Sequence, residues 1–176
     1  MKLLAICGSP RKGNTEFMLN KVLEGAGDVD KEIVLLKDLD IGHCTGCDIC
    51  FGTGKPCPID DDMKELYKKL VEAEIIVFGS PNYFKNVSGL MKNFIDRTNA
   101  LCDPPGLKGK KSGIVCVGGQ DLTNTQFCEN VLKEFLKDQQ MIFVGSVLAK
   151  ADKPEEVKES PVVIDELKKL GEKLAQ

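Results

Sequence analysis

Four cysteines stand at positions 44, 47, 50 and 57 in the pattern C-x2-C-x2-C-x6-C, and Pro58 follows the last of them. Three cysteines at two-residue intervals cannot share one face of a helix or a strand. A loop containing Gly46 can turn all of them toward one centre. Thiolates in such a run are the habit of iron–sulfur clusters, and the spacing differs from C-x2-C-x2-C-x3-C-P mainly in its last gap. Zinc also takes four thiolates, usually from two C-x2-C knuckles set well apart. Any two of these cysteines could also form a disulfide, so the residues leave three chemistries open. Cys44, Cys47, Cys50 and Cys57 are therefore the candidate metal ligands. His43, the one histidine, abuts Cys44 and reads as a solvated loop residue, because four cysteines already complete a tetrahedral set.

A second chemistry lies near the N-terminus. An apolar run ends at Cys7, and Gly8-Ser9-Pro10-Arg11-Lys12-Gly13-Asn14-Thr15 follows before a helical pattern with Phe17, Met18, Val22 and Leu23. A strand, a small polar loop and a helix start make an anion site, because the free N–H groups and the helix dipole both face the anion. Ser9, Asn14 and Thr15 can donate further hydrogen bonds, Arg11 a charge-assisted one, and Gly13 lets a ligand approach. The loop matches neither a Walker A nor a G-x-G-x-x-G pattern, so it signals neither ATP nor a dinucleotide. Asn14 or Thr15 could equally be an ordinary helix cap. A second loop, Gly79-Ser80-Pro81-Asn82-Tyr83-Phe84-Lys85-Asn86, offers aromatic faces (Tyr83, Phe84) and polar edges (Ser80, Asn82, Asn86) beside Pro81. That mixture suits a flat, polar-edged ring system. Gly118 and Gly119 end a further apolar run and permit close backbone approach.

These loops need elements to hold them. Apolar runs at Leu3–Cys7, Glu32–Leu36, Ile75–Gly79, Ser112–Gly118 and Met141–Val147 are near-continuous, as parallel strands covered on both faces are. Between them lie helical stripes. One has Val87, Leu90, Met91, Phe94, Ile95 and Leu101, and another Phe127, Val131, Leu132, Phe135 and Leu136. A last helix opens at Ser160-Pro161, with Ser as N-cap and Pro at the first helical position, and carries Val163, Leu167, Leu170 and Leu174. Five strands with helical crossovers predict an α/β doubly wound parallel sheet in the flavodoxin-like order 2-1-3-4-5, with ligands at its switch point. The whole of 1–176 reads as one domain with a cysteine-rich loop at about 41–59. Lys150–Ser160 reads as a polar loop and Lys108, Lys110 and Lys111 as a solvated turn. The acidic run Asp60-Asp61-Asp62 reads as helix capping.

Composition narrows the class. With 176 residues, 42% of them hydrophobic, the chain can build a core without disulfides. A net charge of −3 argues against a nucleic-acid binder. No apolar run approaches the roughly 20 residues of a membrane span. The N-terminal apolar run is too short for a signal peptide, so the expected location is cytoplasmic. In a reducing compartment a cysteine that does not fill a core is a metal ligand or a redox group. Cys7, Cys116 and Cys128 fall in apolar runs and read as core fillers, while Cys102 is ambiguous.

Taken together, Gly8-Ser9-Pro10-Arg11, Gly13-Asn14-Thr15, Gly79-Ser80-Pro81-x-Tyr83-Phe84-x-Asn86-Val87-Ser88 and Phe94-Ile95-Asp96-Arg97 resemble the NADPH-dependent FMN reductase superfamily over nearly the whole chain. The compact cysteine motif is similar to that of the iron–sulfur flavoproteins of anaerobes. The resemblance implies FMN, with its phosphate on the first loop and its ring system against the second, and one four-iron, four-sulfur (4Fe–4S) cluster. It implies a homodimer or homotetramer, and either ferredoxin or NAD(P)H as electron donor. Oxygen, peroxide or a quinone is the implied acceptor. A cluster-free NAD(P)H-dependent FMN oxidoreductase and a zinc-stabilised non-enzymatic domain are the other two expectations. Asp96-Arg97 is expected to be structural or to contact a neighbouring subunit.

Overall fold

The computed structural model describes residues 1–176. Five parallel strands form one sheet in the order β2-β1-β3-β4-β5. They are β1 (Lys2–Cys7), β2 (Asp30–Leu35), β3 (Ile75–Pro81), β4 (Lys111–Gly118) and β5 (Ile142–Lys150). The helices are α1 (Asn14–Gly25), α2 (Met63–Glu72), α3 (Gly89–Arg97), α4 (Leu122–Asp138) and α5 (Pro161–Ala175). The expected doubly wound order is the observed one.

Alternate residues of the central strands feed two cores, as a period of two requires. Leu4 and Ile6 of β1, Ile76 and Phe78 of β3 and Ile114 and Cys116 of β4 face α2, α3 and α4. Leu3 and Ala5, Ile75 and Val77, and Val115 and Val117 face α1 and α5. Each Leu, Ile, Val or Phe side chain among them, taken fully from water, contributes about 1.5–3 kcal/mol. Phe78, Phe94 and Phe135 lock β3, α3 and α4 together, with Phe78 and Phe135 edge-to-face at 5.4 Å. On the other face α1 and α5 cross at two glycines. A Cβ on Gly171 would lie 2.1 Å from Val22 O, and one on Gly25 2.1 Å from Lys168 O. Only glycine permits that approach.

Helix starts follow their caps. Ser88, Asp121 and Ser160 accept from backbone N–H groups of α3, α4 and α5. Hydrogen bonds from the Thr123 hydroxyl and then Asn124 hold the Asp121 carboxyl at about 2.

Several boundaries differ from expectation. β2 begins at Asp30, and Leu36 already belongs to a 3-10 turn. β5 runs on to Lys150 and, as an edge strand, leaves Ile142 and Phe143 exposed. Its apolar residues do not meet cover on both faces. In the stripe from Val87 to Leu101, Val87 precedes the Ser88 cap and Leu101 ends a 3-10 turn, so α3 is shorter than its apolar spacing implies. Lys110 is no solvated turn residue. Its ammonium donates to Val71 O and Ala73 O at the end of α2, and burial lowers its pKa. Within the acidic run, Asp62 stands at the N-cap of α2 without a side-chain cap bond. Asp61 accepts from Met63 N at 3.1 Å and also pairs with the buried Arg97, a long-range partner that the capping reading lacks.

Candidate flavin cleft and cysteine loop

The chain runs from β1 outward to β2 and then returns to β3 on the other side of β1. The crevice at that reversal lies beyond the carboxyl ends of the strands. Gly8 N donates to Gly79 O at 2.8 Å, and the Ser88 hydroxyl donates to Gly8 O, so the loops after β1 and β3 are held as one rim. A Cβ on Gly8 would lie 2.7 Å from Met91 Cβ. Asn82 N donates to Val117 O at 2.7 Å and joins the loop after β4 to the same rim.

A cavity of about 210 Å³ opens there. It is lined by Ser9, Arg11, Gly13, Asn14, Thr15, Pro81, Asn82, Tyr83, Val117, Gly118, Gly119, Ala151, Asp152 and Pro154. A second, of about 580 Å³, shares Asn82, Tyr83 and Gly119 with it and adds Phe84, Lys85 and Gln120. The two form one trough, narrow and polar at the α1 end and wide and aromatic at the other. The start of α1 has no side-chain cap, unlike α3, α4 and α5, so its first-turn N–H groups are left for an anion. The Asn82 side-chain oxygen is buried without a hydrogen-bond partner, an acceptor awaiting a donor. Tyr83 and Asn86 exchange backbone bonds of 2.9 and 3.0 Å across a tight turn. At its tip Phe84 and Lys85 have φ of 50° and 60°, and Phe84 is fully exposed. Strained turns that hold bulky residues outward are a mark of ligand sites. An uncapped helix start, an orphaned acceptor and a presented aromatic suit a phosphate ester bearing a planar ring, the chemistry of FMN.

Of the expected cleft residues, Ser80 and Asn86 stay outside the lining. The Ser80 hydroxyl donates to Pro81 O at 2.9 Å and accepts from Ser88 N at 3.0 Å, while the Asn86 side chain accepts from Val87 N. Both shape the rim from behind. Asn14 turns its amide elsewhere. It donates to Lys153 O at 2.8 Å and accepts from Val157 N at 3.2 Å, fastening the segment after β5 against the phosphate loop. Ala151, Asp152 and Pro154 thereby form a wall of the trough, although their composition reads as a polar loop. Their position after β5, next to β4 in the sheet, was the available signal.

The loop between Asp40 and Asp62 has no regular secondary structure. Cys44 and Cys47 are exposed, Cys50 and Cys57 half-buried, and none is in a disulfide. Burial and then its neighbours Cys57, Cys44 and Cys47 raise the Cys50 thiol above its ordinary value. No group of three or more His, Cys, Asp or Glu side chains is arranged to hold a metal ion in this structure, although Cys57, Cys44 and Cys47 lie near enough to Cys50 to act on its thiol. The donor set itself, four thiols in a loop whose Gly46, Gly52 and Gly54 have open space around them, fits a thiolate-bound cluster. His43 is exposed, with its Nδ1 3.2 Å from the Asn93 side-chain oxygen. Cys7, Cys116 and Cys128 are core residues, and burial pushes Cys7 up to about 11.

The model of the family described as NADPH-dependent FMN reductase matches residues 1–155. An iron–sulfur flavoprotein of Methanocaldococcus jannaschii is 33% identical over 189 aligned residues, covering 100% of this chain and 96% of that protein. An FMN-dependent NADPH-azoreductase of Staphylococcus haemolyticus is 33% identical over 118 residues, covering 65% of this chain and 63% of that one. Among solved structures, an NADH:FMN oxidoreductase in its apo form superposes with a TM-score of 0.74 at 19% identity, over 99% of this chain and 88% of that one, a likeness of fold. The extent of these matches, the trough at the switch point and the four-cysteine loop make this chain a flavin-dependent oxidoreductase of the NADPH-dependent FMN reductase family, and within it a member of the iron–sulfur flavoproteins.

Proposed function

We propose that the chain transfers electrons between a 4Fe–4S cluster bound by Cys44, Cys47, Cys50 and Cys57 and an FMN bound in the trough. A ferredoxin is the donor and a small molecule such as oxygen, peroxide or a quinone the acceptor. The observation that carries this reading is the coexistence, in one short chain, of an anion-and-ring trough and a loop bearing four disulfide-free thiols. When bound, the cluster passes one electron at a time and FMN accepts one or two, so the pair couples one-electron donors to two-electron acceptors.

The chain's own residues bind and orient. The N–H groups at the start of α1, with Thr15 and Arg11, would hold the phosphate, while Ser9, whose hydroxyl donates to Arg11 O at 2.7 Å, shapes the loop around it. The Asn82 oxygen accepts from the polar edge of the ring system. Tyr83 and Phe84 cover its face and exclude water from it. No hydroxyl or thiol of the trough is hydrogen-bonded to a side-chain base there, so the protein's part is to set position and potential. No residue of the cysteine loop lines either cavity, which supports an assembly in which the loop of one subunit serves the trough of its neighbour. A homodimer or homotetramer is the proposed form.

The test is an anaerobic absorption spectrum of freshly purified protein, with iron, zinc and flavin quantified on the same sample. Flavin bands over a broad brown absorbance, with about four irons per chain, support the reading. In the same protein Cys50→Ser abolishes ferredoxin-driven FMN reduction, and full retention of it sinks the mechanism. A second reading, an NAD(P)H-dependent FMN oxidoreductase without a cluster, is favoured by the NADPH-azoreductase relative. Flavin bands without iron, bleached directly by NADPH, would select it.

A further inference from the structure

The excursion carrying the cysteines leaves the fold and returns to it at one point. Asp62 N donates to Asp40 O at 3.2 Å, and Asp40 N donates to the Asp62 carboxylate at 2.7 Å. One residue further in, the Asp61 carboxylate accepts from Gly42 N at 3.0 Å and from Met63 N at 3.1 Å. Arg97, at the end of α3, spans both limbs of this neck. Its Nη1 donates to Gly42 O at 2.7 Å, and its Nη1 and Nη2 both pair with Asp61, the latter at 3.0 Å. Asn93, about one turn earlier, donates to Ile41 O at 2.7 Å. The Arg97 and Asp61 side chains are only 1% and 5% exposed.

A buried ion pair is costly to desolvate and is weak evidence for stability by itself. This one directs its bonds to the backbone of the loop. Gly42 lies two residues before Cys44, and Asp61 four residues after Cys57. Three cysteines on the first limb and one near the second can converge only if the limbs are kept in one register. Outer groups that orient ligands in this way govern metal affinity although they touch no metal.

We propose that Arg97 and Asp61 are positioning residues for the cysteine loop: they clamp its neck so that the four thiols above can close on a cluster. This rests on the cluster reading above.

The test uses the full chain, reconstituted anaerobically with iron and sulfide. The double variant Asp61→Leu/Arg97→Met replaces the pair with apolar groups of similar size, a change that folds tolerate, and severs every side-chain bond to Gly42. Asp61→Asn, which keeps the shape and loses the charge, is the second variant should the first not fold. Iron and acid-labile sulfide per flavin should fall on the order of 10-fold. FMN affinity and the melting temperature of the double variant should stay near wild type, and tryptic cleavage of the apo chain at Lys55 should accelerate. Iron loading equal to wild type, in whichever variant folds, overturns the positioning role while leaving the cluster reading intact. A wild-type chain that takes up no iron overturns both.

Discussion

Asn14 and Val157, at opposite ends of the sequence, are joined by a 3.2 Å hydrogen bond from the Val157 amide to the Asn14 side chain, whose own amide donates to Lys153 O. The side chain that looks like a phosphate donor in the sequence is a latch for the far wall of the trough.

Asn14→Ala should therefore weaken FMN through the wall. Two neutral hydrogen bonds contribute about 1 kcal/mol each, and if most of that is felt in binding, FMN affinity falls about tenfold. Quenching of FMN fluorescence during titration reads it. A shortened Pro154 wall should also speed FMN dissociation. Unchanged affinity would mean that the wall does not touch the cofactor.

The turn at Phe84-Lys85 stores backbone strain in two residues that avoid positive φ. Phe84→Asn/Lys85→Gly supplies the pair such a turn prefers. Relief of strain at two residues outweighs the entropic cost of one glycine, so the apo protein should gain about 1 kcal/mol of stability in urea, while FMN binds less tightly because its aromatic cover is gone. A variant that is both less stable and a tighter binder would contradict the trough as described.

Acid should act through Asp61. Burial opposes its ionised form, but the Arg97 guanidinium and the Gly42 and Met63 amides outweigh that and hold its carboxyl below the ordinary value. The stabilisation is complete above the unfolded carboxylate pKa of about 4 and is lost as pH falls through the lower folded value. The stability gap between wild type and Asp61→Asn should thus shrink on going from about pH 7 to about pH 3. A gap of equal size at both would show that the carboxylate gains nothing from its partners.

Thiol reactivity should divide the eight cysteines. Iodoacetamide on the iron-free chain should label exposed Cys44 and Cys47 within minutes and leave Cys7, Cys116 and Cys128 untouched until denaturant is added. For Cys7 burial withholds both access and the thiolate. Peptide mass mapping resolves each position. Early labelling of Cys116 would place it outside the core.

What the sequence disclosed follows from how far apart partners are. The strands at Leu3, Ile75 and Ser112 announce themselves because both faces are covered and every residue is apolar or small. Gly8 to Thr15 and Gly79 to Phe84 are contiguous, so their chemistry can be read in place. Arg97 and Asp61 are 36 residues apart; the sequence offers a structural or subunit-contact role for the one and helix capping for the other, and their pairing emerges only when α3 brings them together. The same holds for Asp152 and Pro154, which join the trough only because β5 lies beside β4. For the four cysteines, spacing specifies which atoms could meet, but closing a loop without a core of its own costs entropy that the sequence pattern does not display.

Because the loop's two ends meet at the Asp40–Asp62 backbone bond, and because none of its residues lines the trough, everything beyond its neck hangs on the flavin fold as an appendage. Its length and contents can drift, gain ligands or lose them, while the sheet, its helices and the cofactor cradle stay as they are. Descendants of one ancestral chain could in this way diverge between wired and unwired versions of the same enzyme without ever rebuilding it.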